Sequence, residues 1–432
     1  MRSPFTIRLL AAAAMAVSAP RPAVAQDAQR LTLRDAEAAA VQNHPQIRAG
    51  QYGALAAAET VREIRAAYFP TVLGSFTGAQ AQDGTRIAAG GLNNPTILDR
   101  LAYGFSASQM LTDFGRTTSL SASATLRVDS RQQDVEARRA SVLLEVDRAY
   151  FEVLRAQAVL RVAEQTVAAR QIVVDQVTAL ASTGLKSSLD VSFANVNLSE
   201  ARLLLLQARN DVQASYAGLS SAMGTSQTTA YELADESLPD APPADSAALI
   251  AQAMRDRPDV ARERFEQQSQ AKFAQAERDL WFPTISLVGA AGLTPYHQTG
   301  LTNQYSAMGV NLSIPLSNGN LFAARRAEAN FRASAQQQAL QDLENRVTRD
   351  VQVAWLNAQT AYQRLDLTNQ LLAQATDALD LAQARYNLGL TSIVELTQAQ
   401  LNATRAQIEQ ATARYEYQAR AAALRYQTGS LK

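Results

Sequence analysis

The chain has 432 residues, with 40 basic and 40 acidic side chains, no cysteine and two histidines. Zero net charge argues against a nucleic-acid surface, and the absence of cysteine removes disulfides, thiolate metal sites and a lipidated N-terminal cysteine together. His44 and His297 are too few for a metal cluster, so no metal and no cofactor are expected.

Arg2 and Arg8 flank the start of a short apolar run over 9–19, and Ala23-Val24-Ala25 fits the small-residue cleavage rule. Residues 1–25 therefore read as a signal peptide cleaved before Gln26. The run is too short to span a bilayer, and no later stretch approaches the ~18 uninterrupted apolar residues of a membrane helix. The protein is exported without a helical anchor, and without disulfides it must be held by packing or assembly.

Beyond the leader, one series of landmarks occurs twice in the same order. An x-Pro junction (Asn43-His44-Pro45) precedes a helix over roughly 46–68, and Tyr68-Phe69-Pro70-Thr71 leads into strands over 69–82 and 101–112. A helix over 117–182 comes next, free of Pro and Gly, with Val135, Val142, Val146, Tyr150, Val153, Leu160 and Val167 at three- and four-residue steps. Thr183-Gly184-Leu185-Lys186-Ser187 turns the chain into a helix over 188–222. The second copy offers Asp256-Arg257-Pro258, a helix over 259–280, Trp281-Phe282-Pro283-Thr284, a second strand pair and a long helix over 320–386. Leu388-Gly389-Leu390-Thr391-Ser392 then enters a helix over 392–426. Landmarks in register across half the chain mean duplication: repeats over 26–224 and 246–432, joined by a linker over 225–245. The offset between copies falls from about 213 to about 205 residues, which places an insertion in the turn-rich segment 83–98.

Each long helix would run about 100 Å, far more than a globular domain uses. One short helix laid end to end with the other nearly matches it, so the natural arrangement is two unbroken columns against two stacked pairs. The strands alternate: Met308, Val310, Leu312 and Ile314 share a face against Asn311 and Ser313. Leu101, Tyr103, Phe105 and Ala107 oppose Ser106 and Ser108, and Trp281, Ile285 and Leu287 alternate with Thr284 and Ser286. Apolar-out, polar-in strands with aromatics near their ends suit a transmembrane β-barrel; a half-buried soluble sheet has the same pattern. In the barrel reading four strands cannot close, so the chain assembles. Two copies give eight strands and a filled interior; three give twelve and room for a water-filled lumen.

Phe105-Ser106-Ala107-Ser108-Gln109-Met110-Leu111-Thr112-Asp113-Phe114-Gly115 and Val310-Asn311-Leu312-Ser313-Ile314-Pro315-Leu316-Ser317-Asn318-Gly319 resemble the strand-to-helix motif of the TolC-like outer membrane efflux proteins. The Gly-Leu turns and Leu219-Ser220-Ser221-Ala222-Met223-Gly224 resemble that family too; Met110 departs where the family prefers Pro. The resemblance covers nearly all of the mature chain. It implies an α+β membrane protein, a long antiparallel α-helical barrel continued by a trimeric 12-stranded transmembrane β-barrel in the outer membrane. It further implies a passive exit duct of a tripartite efflux or type I secretion system. The implied partners are a periplasmic adaptor and an inner-membrane pump of RND or ABC type, with outer-membrane lipid around the barrel and no nucleic acid.

The same resemblance places the adaptor-docking tips at Gly184, Leu185, Ser187, Gly389, Leu390 and Ser392. Tyr386 matches the tyrosine that helps shut the periplasmic end and Asp190 its aspartate partner. Thr391 stands where the family's well-studied member has a basic residue, so fewer charge-assisted ties are expected. Gln398 replaces a second acid ring, leaving Glu395 to set cation preference. Read without the resemblance, Ser187…Asp190 and Ser392…Glu395 are two capping boxes, and Tyr386 is helix packing.

Other classes fit less well. Asp113-Phe114-Gly115 spells a kinase tripeptide without the Gly-rich or catalytic loops, and Asp and Gly are ordinary at a strand-to-helix turn. No nucleophile–base pair stands out, so no enzyme is expected. An exported soluble coiled-coil scaffold, with hairpins capping its helices, is the alternative. It would interrupt the outward strand face with charge, and 69–82 and 101–112 carry none. A simple diffusion porin has no role for two such helices.

Overall fold

The computed structural model describes residues 30–80, 82, 99–226, 231–297 and 302–431. The expected leader 1–25, the inserted segment 83–98 and residues 227–230 of the linker lie outside the described residues. The first half contains β1 (Arg30–Leu31), α1 (Leu33–Asn43), α2 (Pro45–Arg65), β2 (Thr71–Ala79), β3 (Arg100–Thr112), α3 (Arg116–Ser182) and α4 (Ser188–Ala222). The second contains β4 (Glu232–Leu233), α5 (Ala247–Asp256), α6 (Pro258–Arg278), β5 (Thr284–His297), β6 (Gln304–Ser313), α7 (Leu321–Asn387) and α8 (Ile393–Gln427). The paired helices match in length: 21 residues for α2 and α6, 67 for α3 and α7, 35 for α4 and α8.

The columns are as the sequence suggests. α3 packs on α2, α4, α6 and α8, while α7 packs on α6 and α8, so each long helix is flanked by a stacked pair. The joints between stacked helices have one construction. His44 and Arg257, each preceding a proline, are extended (ψ 124° in both), as the proline ring demands, and α1 and α5 stop there. The far ends of α4 and α8 turn at Gly224 and Gly429 and seat on these junctions. A Cβ on Gly224 would meet His44 Cα at 2.8 Å, and one on Gly429 would meet the Asp256 carbonyl carbon at 2.7 Å. His44 itself caps α2, its Nδ1 accepting from Gln46 N at 3.3 Å.

A girdle of small elements surrounds the joints. β1 and β4 pair in parallel, and the buried Tyr150 hydroxyl of α3 reaches the carbonyl oxygens of Leu31 and Ala234 at 3.0 and 2.6 Å. The largest apolar cluster lies here, where α1, α3 and α4 converge around Ile47, Val146, Tyr150, Val153 and Leu219.

At one end of the columns the four longer strands form one antiparallel sheet in the order β2-β3-β5-β6. The register puts Val72, Phe76, Tyr103, Phe105, Ile285, Leu287, Met308, Val310 and Leu312 on one face. Met308 is 83% exposed and Phe76 72%, so this apolar face covers no core. Ser75, Thr77, Ser106, Ser108, Ser286 and Asn311 occupy the other face, joined by Leu73 and Val288. Trp281 departs from the expected alternation: it closes a 3-10 turn before the strand and packs edge-on to Phe322, ring centres 5.8 Å apart. Phe114 and Phe282 form a second, tilted pair, ring centres 6.3 Å apart, and both are exposed near the ends of the strands, as is Phe69. Asp113 caps α3 there, accepting from Thr117 N at 2.7 Å. No helix among the described residues is long and apolar enough to cross a membrane.

Candidate functional site

The end of the columns opposite the sheet is built from two short turns with the same hydrogen bonds. After α3, Gly184 N donates to Ala181 O at 3.1 Å and Leu185 N to Leu180 O at 3.0 Å; after α7, Gly389 N donates to Tyr386 O at 3.0 Å and Leu390 N to Arg385 O at 2.9 Å. This pair of bonds is the helix stop that requires a left-handed residue, and Gly184 and Gly389 have φ of +75° and +74°. Leu185 and Leu390, the next residues, are exposed at 72% and 66%. Two apolar side chains are thus displayed at the tips with nothing of this chain to cover them.

The two expected capping boxes resolve differently. Ser187 and Asp190 form theirs: Asp190 N donates to Ser187 Oγ at 3.2 Å, and Asp190 Oδ2 accepts from Ser187 N at 3.0 Å. Those bonds, backbone first, hold the Asp190 carboxyl below the usual carboxylate range, with Lys186 adding to the effect. Ser392 and Glu395 do not form the second box, for Ser392 makes no side-chain cap. Glu395 instead accepts from the Thr391 hydroxyl and pairs with Arg385 Nη1 at 3.2 Å. A guanidinium on the last turn of α7 outcompetes a backbone amide for the carboxylate.

Tyr386 is buried between the two hairpins among Val174, Val177, Ala194, Leu198, Ile393 and Leu396. Its hydroxyl has no hydrogen-bond partner, so the expected tie to Asp190 is not formed; the Asp190 carboxylate is committed to Ser187. Burial, and then the Asp190 charge, push the phenol up. The ring is instead held by Lys186, whose Nζ stands 4.1 Å from its centre. Asn197 Nδ2 donates to Thr397 Oγ1 at 2.8 Å between α4 and α8. Gln398 lies on α8 and bonds to Asn402.

All ten expected site residues lie at this one end. Sequence reasoning missed roles for Lys186 and Arg385. Their signals were a base directly after the Gly-Leu turn and a base in the last turn of α7.

The outer membrane efflux protein family model matches this chain twice, over residues 37–225 and 249–430. The chain belongs to that family. Its two matched segments coincide with the two halves of the fold. Similar proteins include the outer membrane protein TolC of Salmonella enteritidis, 24% identical over 90% of this chain and 80% of that protein. Protein CyaE of Bordetella pertussis is 29% identical over 90% of this chain and 82% of that protein. Among solved structures, a membrane protein from Pseudomonas aeruginosa superposes with a TM-score of 0.81 at 22% identity, covering 92% of this chain and 90% of that one. The Campylobacter jejuni CmeC outer membrane channel gives 0.80 at 16%, over 92% and 85%. This efflux protein therefore has the fold of a helical barrel carried by a β domain, and its place is the outer membrane.

Proposed function

We propose that three copies of this chain form a passive exit duct through outer membrane and periplasm. The duct is coupled through a periplasmic adaptor to an inner-membrane pump of RND or ABC type. The observation that carries this is the four-stranded sheet with two unpaired edges, β2 and β6, and one exposed apolar face. In lipid such edges must be paired, and three copies supply twelve strands, enough for an aqueous lumen. The columns agree: the chain exposes 27309 Å², against about 16,000 Å² for a compact monomer of its mass. Tyr52, Leu55, Leu203, Leu206 and Phe331 stand exposed along the helices, apolar surface that neighbouring copies would cover.

In this reading the tips close the periplasmic end and receive the adaptor. Gly184, Leu185 and Ser187 with Gly389, Leu390 and Ser392 form the docking surface. Tyr386, Asp190, Thr391 and Glu395 lie where three copies would converge. The test is Gly389→Asp combined with Leu390→Asp, which strains the turn and charges the apolar display. Export falls to the level of a deletion strain while the trimer remains at its normal amount in the outer membrane. Full export by that variant would remove the tips from the docking role.

A further inference from the structure

Halfway up the columns, roughly 50 Å from either end of α3, a hollow of about 530 Å³ opens beside the girdle. It is bounded by α1, α5, α8 and the proline-rich end of the linker, and its volume is that of a small-molecule site. The main helices stand in the row α4-α3-α8-α7, with α8 an inner member. The hollow therefore lies over the middle of one chain, away from α4 and α7, the edges left for a neighbouring copy.

Gln418 of α8 gives the hollow its chemical signature. The residue is 2% exposed. Its Nε2 donates to Glu236 O at 2.9 Å and to Ser237 O at 3.3 Å, which fixes the orientation of the amide and uses both of its donors. Its Oε1 has no hydrogen-bond partner, and Gln418 is part of the hollow's wall. A buried acceptor without a donor destabilises a fold, and an N–H group entering the hollow satisfies this one.

The charges around Gln418 narrow the choice of ligand. Glu37 and Asp240 line the hollow, as does Glu236, whose Oε1 accepts from Leu33 N at 3.4 Å. Arg34 and Arg425 line it too. Arg34 is exposed and pairs with no described carboxylate, while Arg425 meets Asp147 only at 3.5 Å. Three acids against two bases reject a polyanion. Acceptors for an ammonium group together with guanidiniums for a carboxylate suit a zwitterion. Leu33, Leu249 and Leu424 add apolar wall, and the volume exceeds what a single amino acid fills.

We infer that this hollow binds a short zwitterionic peptide, its ammonium group on Gln418 Oε1 and Glu37 and its carboxylate on Arg34 and Arg425. Bound there, the peptide bridges α1 of the first half to α8 of the second. The site belongs to a single chain, so it stands independently of the duct reading.

The test is isothermal titration of alanyl-leucyl-alanine into the full-length protein extracted in mild detergent. The free tripeptide binds saturably at one site per chain. Acetylating its amine or amidating its carboxylate lowers the affinity about tenfold in each case. Arg34→Gln weakens the free peptide by a similar factor but leaves the affinity for the amidated peptide unchanged, because the carboxylate is what Arg34 holds. The arginine is exposed, so the variant keeps the wild-type melting temperature. No saturable heat with the free peptide, equal affinity for free and blocked forms, or equal losses for free and amidated peptide in Arg34→Gln overturns the inference.

Discussion

Lys186 stands over the ring of Tyr386, its Nζ 4.1 Å from the ring centre, and so ties the turn after α3 to the last turn of α7. The contact is a cation–π interaction at a half-open site, worth about 0.5–1 kcal/mol. Lys186→Gln removes it without altering the turn. The open-to-closed ratio in planar bilayers should rise about two- to fivefold, and Lys186→Arg should restore the wild-type ratio. Identical gating in Lys186→Gln would show that the ring needs no cation.

Tyr386 contributes through its ring rather than its hydroxyl. The hydroxyl is buried and unpartnered, so Tyr386→Phe deletes an unsatisfied group and should be neutral or stabilising by up to about 1 kcal/mol. Tyr386→Ala empties the space between the hairpins and should cost about 3–5 kcal/mol. Thermal unfolding of the purified protein separates the two. A loss in Tyr386→Phe comparable to that in Tyr386→Ala would point to a bond made only in the assembly.

Arg385 and Glu395 form a pair, each side chain 47% exposed, where an ion pair adds about 0–1 kcal/mol of stability. The consequence lies in selectivity instead. Glu395→Gln removes three negative charges from the proposed trimer and leaves three unpaired guanidiniums, so the reversal potential in a salt gradient should move toward anions. Arg385→Gln should move it toward cations. Shifts of the same sign, or none, would place this pair away from the conduction path.

Much of the fold is legible in the sequence because its signals are local. Helix 188–222 can be read to the residue, since Ser187 and Asp190 announce its start and Gly224 its end. The long helices are equally plain from their uninterrupted periodicity. The girdle is not legible: β1 and β4 are two residues each, and their pairing is fixed by Tyr150, which reads as one more apolar position on α3. At the tips the turns can be read because Gly-Leu carries the backbone requirement. The partner of Glu395 cannot, because Ser392 and Arg385 are both within its reach and only the geometry of two helices decides.

Asp147 makes the girdle pH-sensitive. It is fully buried on α3, facing Glu37 of α1 and, at 3.5 Å, Arg425 of α8. Burial, followed by the bond to Glu37 and its charge, pushes its pKa up to about 8, with Arg425 opposing. The folded state thus holds a proton that the unfolded chain releases near pH 4. Its contribution is complete below that pH and is lost as pH rises through 8, at no more than about 1.4 kcal/mol per pH unit. The melting temperature of the solubilised protein should fall between pH 6 and 9, and Asp147→Asn should flatten that slope. A slope unchanged in Asp147→Asn would assign it to other groups.

The unpaired edges of β2 and β6 make assembly the claim on which the others depend. Native mass measurement of the protein extracted from the outer membrane in mild detergent tests it most directly. The mass should equal three mature chains, with no folded monomer at any dilution that keeps the sheet intact. A folded monomer, or a dimer closing eight strands, would contradict the duct.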